Sequence, residues 1–93
     1  MKILNYEISE KTEKEISDIV STFSRPVEYA DILAIRIGGY GAVFYDDPKR
    51  YIVFLSTALD PKDFETNVLC ELNHIRQVEE KYPHTCLKRS EVV

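Results

Sequence analysis

Cys70, Glu71 and His74 are the residues of this chain whose types and spacing fit a reaction. A thiol and an imidazole four residues apart fall on the same side of a helix, one turn from each other. Both are good zinc donors, at about 2.3 Å from sulfur and about 2.0 Å from nitrogen. A carboxylate beside such a pair can accept a proton from a zinc-activated water, whose own pKa the metal lowers toward about 7. The chemistry implied is hydrolysis. It requires a helix that holds the three side chains and a partly dry setting for Glu71.

That helix is well marked in the sequence. Asp60 is a natural N-cap, Pro61 a natural first helical residue, and Asp63 adds negative charge to the first turn, where the helix dipole favours it. The helix is expected over about 61–81, ending before Pro83. At about 100° per residue, Phe64, Val68, Leu72, Ile75 and Tyr82 fall within one arc of about 80°. That arc is the core-facing stripe. Cys70 and His74 share a face to one side of it, and Glu71 lies between the two groups, flanked by Val78 and by Phe64 and Ile75. Thr66, Asn73, Arg76 and Glu80 take the solvated side. A glutamate at the margin of an apolar stripe is costly unless something satisfies it. Partial burial also raises its pKa toward the range useful for taking a proton. The expectation is a groove beside the helix lined by Cys70, Glu71 and His74.

The elements before it are a helix and a sheet. Leu4, Tyr6 and Ile8 alternate with polar neighbours and suggest a short first strand. A helix follows over about 9–24. It starts near Ser9 or Thr12, where Thr12-Glu13-Lys14-Glu15 fits a capping box, and Pro26 lies beyond its end. Ile16, Ile19, Val20 and Phe23 form its apolar face. Strands are expected over about 31–37, 42–46 and 50–56, separated by the turn signals Gly38-Gly39-Tyr40-Gly41 and Asp46-Asp47-Pro48-Lys49. The third strand, Tyr51 to Ser56, is apolar on both faces. An antiparallel meander is the simplest arrangement. Residues 83–93 read as an irregular tail. The fold class is α+β: an N-terminal helix, a three- or four-stranded mainly antiparallel sheet, and a C-terminal helix carrying the motif.

Ninety-three residues make a single domain, 1–93, with one modest core. A hydrophobic share of 44% with 30% charged residues is the profile of a globular protein. The net charge of -4 and scattered lysines and arginines argue against a nucleic-acid partner. The first residues lack the apolar run of a signal peptide, and no stretch approaches about 20 apolar residues. The expected location is the cytoplasm, with no membrane partner. Cys70 and Cys86 are then expected as free thiols, and without a Cys-x-x-Cys spacing a redox role has little to stand on.

Residues Phe64 to Pro83 resemble the active-site helix of small bacterial zincin-like metallopeptidases, whose pattern is H-E-L-x-H followed by a Tyr-Pro or similar break. The close match covers about twenty residues, and the order helix, sheet, motif helix resembles a minimal zincin fold. The resemblance implies zinc as cofactor, Glu71 as general base, His74 as second zinc ligand, and peptide or protein substrates paired along the sheet strand nearest the cleft. Cys70 stands where the family has its first histidine. Thiolate donates more charge to zinc than imidazole does, which leaves the ion a weaker Lewis acid and its water less acidic. A third ligand must come from beyond the helix. His84, just past Pro83, is the first candidate and Cys86 the next, because Glu80, with Gln77 where a redirecting glycine would be needed, should point to solvent. Two functions follow from this. One is a zincin-like, metallopeptidase-related protein with an altered C-E-x-x-H motif, hydrolysing peptides by zinc-activated water. The alternative is a non-catalytic pseudo-enzyme or peptide-binding module.

Overall fold

In the computed structural model, which describes residues 1–34 and 42–81, the chain is an α+β fold. A two-stranded hairpin, β1 (Lys2–Ile3) and β2 (Tyr6–Glu7), leads into helix α1 (Glu10–Val20). Strand β3 (Val27–Asp31) and a 3-10 turn (Ile32–Ala34) follow, then β4 (Ala42–Asp47), β5 (Arg50–Leu55) and helix α2 (Pro61–Lys81). Among the described residues two of the three strand pairings are antiparallel, β1 with β2 and β4 with β5. The expected tail, with His84 and Cys86, and the expected glycine turn at 38–41 lie outside the described residues.

The first segment is a hairpin rather than one strand. The chain reverses at Leu4-Asn5, with Leu4 at a φ of 55°, in the left-handed region. Helix α1 is shorter than expected. Ser9 is the cap, its hydroxyl accepting the Thr12 N–H, and the helix ends at Val20. There the hydroxyls of Ser21 and Thr22 donate to the carbonyls of Asp18 and Ile19, competing with helix continuation. Phe23 still packs against the core from beyond the helix end.

The sheet differs from a meander. Its order is β3-β5-β4, with β3 parallel to β5 and β4 antiparallel to it. The first strand of this sheet is Val27–Asp31, where a strand over about 31–37 was expected. Asp31 ends it: its carboxylate accepts the Leu33 N–H at 3.0 Å, forming a local turn, and the Thr57 hydroxyl at 3.0 Å. Ile32, Leu33 and Ala34 of the expected strand thus fall in the 3-10 turn, and its residues 35–37 lie outside the described residues.

The core lies on one face of the sheet. Tyr51, Val53 and Leu55 of β5 point into it and meet Phe64, Val68, Leu72 and Ile75 of α2, all fully buried. Ile16 of α1, Ile3 of the hairpin and Ile8 just after it complete the cluster. Tyr6 stacks on Phe64 with ring centres 3.7 Å apart. The stripe expected from the spacing of α2 is the stripe that is buried, apart from Tyr82, which lies outside the described residues. The Asp60 cap is present too: its carboxylate accepts the N–H groups of Lys62 and Asp63, each at 3.1 Å. Among the described residues no helix is long and apolar enough to cross a membrane.

Candidate functional site

Helix α2 is tied to its neighbours by two carboxylates, Glu65 on one flank of the buried stripe and Glu79 within its arc. Near its start, Glu65 accepts the Ser9 N–H at 2.9 Å, the Ser9 hydroxyl at 3.0 Å and the Thr12 hydroxyl at 2.6 Å. Those hydrogen bonds, that of Thr12 first, hold the Glu65 carboxyl below its ordinary range. Near the end of α2, Glu79 accepts the Ser24 N–H at 3.1 Å, the Ser24 hydroxyl at 2.7 Å and the Tyr51 hydroxyl. Glu65 thus joins the start of α1, and Glu79 the segment after its end. The two helices run in the same direction, side by side.

Glu71 occupies the other flank. It lies across the buried stripe from Glu65, about 120° away around the helix. It is half-buried, and among the described residues no hydrogen bond reaches its carboxylate. Burial pushes its pKa above the ordinary carboxylate value, and the charge of His74 partly offsets the rise. Glu65 and Glu79 each accept three hydrogen bonds, whereas Glu71 has a neighbouring imidazole and, among the described residues, no donor.

Cys70 and His74 sit on α2 as their spacing requires, one turn apart, but both are exposed. They lie farther around the helix than Glu71, past the margin of the stripe. The three side chains therefore do not line a common groove: Glu71 is half-buried, and the two metal donors face outward beside it. Their chemistry fits zinc, a thiol and an imidazole at a spacing that lets both reach one ion. Among the described residues no group of three His, Cys, Asp or Glu side chains stands together as a metal site. His84, the expected third ligand, is outside the described residues.

The raised pKa of Glu71 has a measurable consequence. A group whose pKa is higher in the folded state contributes stability below its unfolded pKa and loses it as pH rises through the folded value. At neutral pH the half-buried carboxylate is therefore a cost to folding. Glu71→Gln is expected to raise the melting temperature slightly at pH 7, and to make no difference at a pH well below the carboxylate range. Thermal melts at the two pH values check this. A lower melting temperature at pH 7 would mean that the carboxylate makes a stabilising contact.

Spacing gave no sign of a second polar cluster, centred on Arg25. Its guanidinium pairs with Asp46, donates to the Asp47 carbonyl and to the Tyr51 hydroxyl at 2.8 Å, and lies 4.1 Å from the centre of the Tyr51 ring. Burial and the hydrogen bond and charge of Glu79 push the Tyr51 hydroxyl up to about 12, against the opposing pull of Arg25. Pairing with Asp46 and Tyr51 outweighs burial at Arg25 and raises its pKa. This cluster joins the α1–β3 link, the β4–β5 hairpin and the last turns of α2. No protein family, curated protein or solved structure matches the chain.

Proposed function

We propose that this chain is a zincin-like, metallopeptidase-related domain of the cytoplasm, with peptides or unfolded protein segments as substrates and an altered zinc motif on α2. The observation that carries the reading is Glu71: half-buried, without a hydrogen-bond donor among the described residues, its pKa raised, and one turn from His74 on the same helix as Cys70. A structural carboxylate in this fold looks like Glu65 or Glu79, satisfied by several donors. Glu71 instead sits half-buried beside an imidazole, its pKa raised by burial. Bound zinc would supply a Lewis acid that polarises the peptide carbonyl and acidifies water. Cys70 and His74 are the side chains that would hold it, with His84 the expected third donor. Glu71 would take the proton from the attacking water and pass it to the leaving amine. Strand β4 is the antiparallel edge of the three-stranded sheet among the described residues and one of the strands on which α2 packs, which suits pairing with an extended peptide.

A metal measurement tests this reading. Protein purified without chelator and kept reduced is expected to carry zinc at between about one half and one equivalent per chain. Saturating zinc is expected to add about 2.7 kcal/mol of stability at a hundredfold excess over Kd. Cys70→Ser and His74→Ala should each remove both effects. Less than about a tenth of an equivalent, with no rise in melting temperature, would reject the metal site.

The outward-facing positions of Cys70 and His74 favour one second reading, a peptide-binding module without catalysis. Peptide binding that survives both chelator and Glu71→Gln would select it.

A further inference from the structure

Asp63, Asn67, Cys70, His74, Gln77 and Lys81 fall on one ridge of α2, within an arc of about 80°. All but Asn67 are exposed, and Asn67 is half-buried. The ridge is symmetric about Leu72. Asp63 and Lys81 lie equally far from it on opposite sides, as do Asn67 and Gln77, and as do Cys70 and His74. Two copies of α2 laid antiparallel about a twofold axis at Leu72 would put Asp63 of each against Lys81 of the other. Asn67 would meet Gln77 of the second copy, and Cys70 would meet its His74. Opposite charges meet at both ends, amides meet between, and four zinc donors meet at the centre. A twofold interface requires this self-complementary order.

We propose that two copies of this chain share one zinc ion through this ridge, each contributing Cys70 and His74. The proposal rests on the reading that these two residues bind zinc, and names what completes their coordination. Two thiolates and two imidazoles form a closed tetrahedral set, and the two thiolate charges balance the charge of the ion. Packed helices lie about 8–10 Å apart, close enough for side chains of this length to reach a common centre. A closed set leaves no position for substrate or water, so the shared ion is the resting form of the proposed peptidase site and separation of the copies opens it.

Sedimentation velocity on the full chain, reduced with a non-chelating reductant and titrated with zinc, tests the proposal. Cobalt serves as a spectroscopic stand-in in a parallel titration. Dimers are expected to saturate at one metal per two chains, with the absorption of a tetrahedral thiolate-bound cobalt, and a chelator should dissociate them. Cys70→Ser and His74→Ala should abolish the dimer, while His84→Ala and Cys86→Ser should leave it. Asp63→Lys should weaken dimerisation about tenfold, and adding Lys81→Asp to it should restore the lost affinity. One metal per monomer without association would overturn the shared site and leave the Cys70–His74 metal reading standing. No metal binding at all would overturn both. Dimerisation that ignores the charge exchange would overturn the antiparallel ridge.

Discussion

Arg25→Met is expected to destabilise the fold by about 3 kcal/mol, toward the lower end of the about 3–5 kcal/mol typical of breaking a buried ion pair. The Asp46 side chain is 3% exposed and that of Arg25 17%. Removing the guanidinium takes the Arg25 cation from a buried carboxylate and a donor from the Asp47 carbonyl and from the Tyr51 hydroxyl. The cation over the Tyr51 ring is lost as well. A domain of this size has about 5–15 kcal/mol of stability in all, and each kcal/mol shifts the melting temperature by about 4–8 °C. The drop should therefore exceed about 10 °C. Urea unfolding of both proteins measures it. Replacing both partners, Arg25→Met with Asp46→Leu, should recover much of the loss, because no buried charge is then left behind. A loss below about 1 kcal/mol for the single substitution would place this pair with ordinary surface ion pairs.

That cluster could not be read from the sequence, for a physical reason. Tyr51 reads as an apolar strand residue. The partner of its hydroxyl, Glu79, is 28 positions away, and Arg25 is 26 positions away on the other side. Periodicity reports which face a side chain takes within its own element. It does not report which polar groups meet when elements pack. The same limit explains the sheet. The β4–β5 hairpin is local and was legible from the turn signal Asp46-Asp47-Pro48-Lys49, whereas the parallel pairing of β3 with β5 is not local and leaves no turn signal. The start and stripe of α2 were legible because an Asp-Pro cap and 3.6-residue spacing are local properties. Glu71 was legible on the same grounds, since a half-buried position follows from its angle beside the stripe. The outward direction of Cys70 and His74 was within the same geometry, because each lies still farther from the stripe. The expected groove needed a neighbouring element on that side, and a helical wheel contains none.

Cys70→His is expected to raise zinc-dependent hydrolysis of an unfolded protein at least about tenfold over the natural chain, the direction set by ligand charge. Neutral imidazole in place of thiolate leaves the zinc more electrophilic, which favours ionisation of water and polarisation of the peptide carbonyl. The backbone of α2 needs no change, since the substituted side chain is exposed and leaves the packing of Val68, Leu72 and Ile75 intact. In the Cys70→His background, Glu71→Gln should lower the rate by about 10²- to 10⁴-fold, the range for removing a general base. The pH dependence carries a further signature. Burial raises the Glu71 pKa, so its basic form is lost, as pH falls, at a higher pH than for an ordinary carboxylate. The acid limb of the rate profile should be displaced upward in the same sense. Rates measured with zinc, with chelator, and across pH 4 to 9 separate these effects. If Cys70→His binds zinc but cleaves nothing, or if Glu71→Gln leaves its rate unchanged, Glu71 is not the base and the peptidase reading fails.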